Sequence, residues 1–109
     1  MSETLAVRNP RTGETDYEIP VTGSTEIAAV AAELRGNQPA WRELGLDGRI
    51  EVLQRFKRAL AGNGDSIVAA LSTDTGRHAV ARQELGGLER SIDRWCADAP
   101  HIEIGRAHV

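Results

Sequence analysis

What most constrains this chain is a helix with one apolar face. Ile50, Leu53, Phe56 and Leu60 recur at steps of three and four, so they lie along a single stripe. Arg49, Glu51, Arg55, Lys57 and Arg58 fall largely off that stripe. Upstream, Pro39 breaks what comes before, and Trp41 is the largest apolar side chain of the front half. Asp47 is placed to cap the helix by accepting a bond from an unpaired backbone N–H. Gly62 and Gly64 are placed to stop it, since Gly readily takes the left-handed backbone of a helix terminus. One apolar face demands a partner surface, and the other segments read as candidates for it.

Leu5 and Val7 alternate with polar neighbours, as do Tyr17, Ile19 and Val21. Between them Asn9-Pro10-Arg11-Thr12-Gly13-Glu14 carries turn chemistry: Pro10 presets φ, Asn9 bonds back to the backbone, and Gly13 accepts positive φ. This predicts a β-hairpin, with Pro20 limiting the second strand to an edge or a short run. A first helix opens at Ser24 or Thr25, has Ile27, Val30 and Leu34 as its stripe, and ends at Gly36-Asn37 and Pro39. A third begins near Asp65, carries Ile67, Val68 and Leu71, and stops at Thr75-Gly76. A fourth runs from about His78 to Ala97, closed by Pro100, with Ala81, Leu85, Leu88, Ile92 and Trp95 as its stripe. Gly86-Gly87 in its middle costs roughly 1 kcal/mol per Gly relative to Ala. A close crossing by another backbone is the expected reason.

At 109 residues the chain is at most one ordinary domain. A net charge of -3, with Lys and Arg spread along the sequence, offers no nucleic-acid stripe. No apolar run is long enough for a membrane span, and the amino terminus lacks the pattern of a signal peptide. A single cysteine excludes an internal disulfide framework and fits a reducing, cytoplasmic setting. Aromatic residues at 4% are thin for an independent core.

No catalytic constellation can be assembled from these residues. Cys96 has neither a flanking histidine nor a glycine-rich turn and reads as a small buried side chain. His78, His101 and His108 have no metal-ligand spacing with one another or with Cys96. Thr73-Asp74-Thr75-Gly76-Arg77 holds one Gly and no Walker lysine, so it reads as a helix stop and not a phosphate loop. Glu84, Glu89 and Asp93 read as a solvated helix surface.

Taken in order, several motifs resemble the amino-terminal portion of the aldehyde dehydrogenase superfamily. Asn9-Pro10 with Thr12-Gly13-Glu14 is similar to that family's opening hairpin, and Gln38-Pro39-Ala40-Trp41 to its next segment. Arg49, Leu53 and Phe56 fit its second helix, Thr75-Gly76-Arg77 stands where Thr-Gly-Lys is common, and Ala81-Arg82 with Glu84-Leu85 fits its Ala-Arg-x-Glu-Val helix. The resemblance covers roughly Leu5 to Pro100. Asp74 and Arg77 depart from the more usual Glu and Lys.

The resemblance implies an α/β parent with a Rossmann-type cofactor domain, of which residues 1–103 are an incomplete amino-terminal part. The parent would oxidise a small-molecule aldehyde to a carboxylic acid with NAD or NADP and form a homodimer or homotetramer. In the family a cysteine nucleophile attacks the aldehyde and a glutamate activates water. Neither is matched here, and Cys96 does not have the nucleophile's context, so no catalytic or cofactor-binding residue is assigned. The helix holding Leu88 resembles one bordering the substrate entrance, which makes Leu88 a candidate substrate contact, with core packing as its other reading. Ile104-Gly105-Arg106-Ala107-His108-Val109 is what ATC GGA AGA GCA CAC GTC encodes, a stretch of a common sequencing adapter. Residues 104–109 are therefore expected to be a non-native tail. The alternative to an oxidoreductase fragment is a small helical module that binds a partner protein through its apolar faces.

Overall fold

The chain runs β1 (Thr4–Arg8), β2 (Thr15–Pro20), α1 (Ser24–Glu43), α2 (Gly45–Gly62), α3 (Gly64–Thr75) and α4 (His78–Ala107). The computed structural model describes residues 3–107, with side chains through 102. His108 and the side chains of the expected tail, 104–109, lie outside the described residues.

The hairpin forms as its turn residues require. β1 and β2 pair antiparallel, with Leu5 opposite Ile19 and Val7 opposite Tyr17, and an irregularity follows Val7. Asn9 Oδ1 accepts from the N–H of Arg11 at 2.9 Å, and the N–H of Gly13 donates to Asn9 O at 2.8 Å. Gly13 sits at φ +78, and its carbonyl accepts from Arg8 Nε and Nη2. Pro20 ends β2 opposite Thr4, where a missing donor costs little.

The helices depart from the sequence expectation at their ends. α1 does not stop at Gly36-Asn37 or Pro39 but continues to Glu43. Gly36 keeps a negative φ, and the left-handed residue that turns the chain is Gly45, at φ +70. Pro39 forfeits a bond to the carbonyl of Arg35, but this stretch of helix is exposed, so water can take that carbonyl. α1 begins with Ser24 after Gly23, and Leu44 precedes α2; neither N-cap uses a side chain. Asp47 thus lies in the first turn of α2, where its charge meets the positive end of the helix dipole.

Neither Gly62 nor Gly64 is left-handed. Asn63 closes α2, its N–H and its Nδ2 both donating to Ala59 O, at 3.1 and 2.7 Å. Gly64 opens α3 and abuts Leu85. Gly76 behaves as expected: it is left-handed at φ +68 and donates its N–H to Ser72 O. α4 passes through Pro100 instead of ending there. Ala97 and Ala99 before the proline have high helix propensity, and one lost bond does not outweigh them.

The core lies where α2 and α3 pack on α4. Its buried apolar members are Ala81, Leu85, Ile92 and Cys96, with Ile92 1% exposed. Those four recur at spacings of four, seven and four, one row of the helix. Leu88 and Trp95, expected in that stripe, belong to the neighbouring row and are 38% and 54% exposed. Phe56 is likewise exposed on α2, while Ile50, Leu53 and Leu60 are partly covered. The α1 stripe meets no core, and Leu34 is 66% exposed. Among the described residues no helix is long and apolar enough to cross a membrane.

Candidate functional site on α4

Two polar ties join α4 to its neighbours, and a third lies at its start. Lys57 Nζ donates to Asp93 Oδ2 at 2.6 Å, joining α2 to α4. That bond holds the Asp93 carboxyl below its usual range; Gln54 adds to the effect and partial desolvation opposes it. At the start of α4, Arg77 pairs with Glu84 at 3.3 Å. An exposed pair, Arg82 with Asp65 at 3.0 Å, spans α3 and α4 and contributes little.

The turn between α3 and α4 is braced by the hairpin. Tyr17 Oη donates to the Asp74 carboxylate at 3.0 Å, and that bond chiefly raises the phenol's pKa. A Cβ on Gly76 would stand 3.1 Å from Pro10 Cγ, so the turn and the hairpin loop are in close contact. Thr73–Arg77 is therefore a helix stop with hairpin support, as its sequence suggests.

The candidate chemical residues do not converge. Cys96 is buried in the packed row of α4 and unpaired. His78 and His101 are exposed on α4, and no metal-holding group of His, Cys, Asp or Glu occurs among the described residues. Glu84 and Asp93 are both exposed, as expected, but they do not share one face: they reach to Arg77 and Lys57 from opposite sides of α4.

Leu88 borders a shallow groove along the first half of α4, with Val80, Gln83, Gly87, Arg90 and Ser91 among its other walls. No other backbone crosses Gly86-Gly87 among the described residues, contrary to expectation. Arg90 folds back over them instead: a Cβ on Gly86 would stand 3.3 Å from its Nη1, and one on Gly87 3.9 Å from its Nη2. Sequence reading found the glycine pair but not Arg90, although one helical turn separates them.

Likeness to known proteins bears on this architecture. The model of the aldehyde dehydrogenase family matches residues 1–105. The malonate-semialdehyde dehydrogenase of Pseudomonas aeruginosa is 31% identical over 101 residues, 91% of this chain and 20% of that protein. The 3-sulfolactaldehyde dehydrogenase of Pseudomonas putida is 35% identical over 98 residues, 88% of this chain and 20% of that protein. The solved structure of the PutA aldehyde dehydrogenase of Anabaena variabilis superposes with a TM-score of 0.87 at 40% identity, covering 91% of this chain and 21% of that one. The chain thus spans about a fifth of the length of these relatives. The hairpin, the four helices and the matched family pattern agree: this chain belongs to the aldehyde dehydrogenase family.

Proposed function

We propose that this chain is part of an NAD- or NADP-dependent aldehyde dehydrogenase, an oxidoreductase that converts a small aldehyde to a carboxylic acid. The observation that carries the reading is the superposition of hairpin and helices on an aldehyde dehydrogenase at 40% identity. The named substrates of the two Pseudomonas relatives carry a carboxylate or a sulfonate besides the aldehyde. An aldehyde with an anionic tail is accordingly the substrate class we assign. Leu88, on the exposed side of α4, is the proposed contact at the substrate entrance.

The described residues do not fit a dinucleotide. Gly62-Asn63-Gly64 follows a helix and not a strand, and Gly64 faces Leu85. No step of the chemistry is therefore assigned to this stretch, and the isolated chain is expected to be inactive. Its work in the parent is to flank the cofactor domain and present α4 to the substrate. The exposed stripe of α1 and Trp95 of α4 are where the rest of the parent, a homodimer or homotetramer in the cytoplasm, would pack, leaving the Leu88 groove open to substrate.

The test is to recover the DNA downstream of the Glu103 codon, express the continuous reading frame, and follow NADH and NADPH formation with semialdehydes. Reduction of either nucleotide by the long product, and none by the 109-residue chain, is the expected result. A stop codon after Val109 in independent genomic contigs, or a long product inert toward every aldehyde, would overturn it.

A further inference from the structure

We infer that Arg90, laid back over Gly86-Gly87 beside Leu88, receives the anionic tail of the aldehyde substrate. The inference rests on the dehydrogenase reading above and adds the residue that selects the substrate class.

Two adjacent glycines in the interior of a helix are costly, and no neighbouring backbone among the described residues needs the space they leave. What uses it is the Arg90 guanidinium, which lies back along the exposed surface of the helix over the two glycines. Arg90 has no ion-pair or hydrogen-bond partner among the described residues, and the same holds for Arg94 one turn further on. An unpaired guanidinium in an open groove has its N–H groups available to an anion brought to it. The other cation at the groove, Arg77, is already paired with Glu84.

Gln83 and Ser91 add neutral hydrogen-bonding groups to the groove, and Leu88 supplies an apolar wall for the carbon chain of a small substrate. A planar guanidinium suits a carboxylate or a sulfonate, because two of its N–H groups can donate in parallel. A neutral aldehyde of the same length would gain nothing from it.

The experiment uses the full-length protein and its Arg90→Ala and Arg90→Lys variants, assayed with succinate semialdehyde and with butanal. Loss of a charge-assisted bond should raise KM for succinate semialdehyde by about 10- to 100-fold, while kcat holds. KM for butanal should stay within about twofold, and Arg90→Lys should recover part of the loss. Equal changes for both aldehydes, no change for either, or a wild type that prefers butanal would overturn the role of Arg90. If the wild type oxidises no aldehyde, the dehydrogenase reading itself falls and takes this inference with it. Matching melting temperatures would show that the variants fold.

Discussion

Lys57 Nζ lies 2.6 Å from Asp93 Oδ2, tying together two helices whose linked residues are 36 apart in sequence. The Asp93 carboxyl titrates below its ordinary value chiefly because Lys57 donates to it. A carboxyl lowered by folding contributes stability above its unfolded pKa, and that contribution is lost as pH falls through its folded pKa. Asp93→Asn should therefore melt below the wild type at neutral pH, with the gap closing in acid. Thermal melts across that range check it, and a gap independent of pH would contradict the assignment.

Ile92 and Trp95 sit three residues apart on α4 but differ in cost. Ile92→Ala opens a cavity in the packed row and should lose about 2–5 kcal/mol in urea unfolding. Trp95→Ala, on the exposed row, should stay within about 1 kcal/mol. Equal losses would mean that the buried row has been misidentified.

Two glycines should respond in opposite directions. Gly76→Ala forces a left-handed backbone on a side chain that also meets Pro10, and should cost about 1–2 kcal/mol. Gly36→Ala lies within a helix with open space around it and should gain about 0.5–1 kcal/mol. Paired denaturation curves decide both signs.

Tyr17 is the chain's one tyrosine, so its phenolate absorbance reports a single group. Its hydrogen bond to Asp74 raises its pKa above the usual 10.0. The tie is intact below the ordinary tyrosine pKa and is lost as pH rises through the folded value. Spectroscopic titration should give a midpoint above that of free tyrosine, and Asp74→Ala should bring it down. An unshifted midpoint in the wild type would rule out the contact.

The exposed stripe of α1 should bind hydrophobic dyes. Leu34→Glu should reduce dye fluorescence without lowering the melting temperature, because Leu34 supports no core. A lower melting temperature would show that the stripe is occupied in solution, as a self-associating module would require.

The hairpin was legible because its determinants are local: Asn9, Pro10 and Gly13 act within one loop. The number of helices was legible from periodicity. Their ends were not, because Pro39 and Pro100 read locally as stops, whereas a solvated carbonyl and good flanking helix formers allow each helix to continue. Periodicity also could not separate the Ala81–Leu85–Ile92–Cys96 row from the adjacent Leu88–Trp95 row. That choice is made by α2 and α3, whose approach is a tertiary fact. The glycine pair at 86 and 87 marks a need for space, but helical spacing alone does not say that a side chain one turn away, Arg90, fills it.

Because α1 runs unbroken through Pro39, its 20 residues form a boom about 30 Å long joined to α2 at Gly45. At that length a change of roughly 10° at the joint carries the Ser24 end through about 5 Å. The aim of the whole arm is thus a setting held largely at one glycine. A substitution at Gly45 would register first at the far tip, as a change in where Ile27 is delivered, while the packed row of α4 kept its shape.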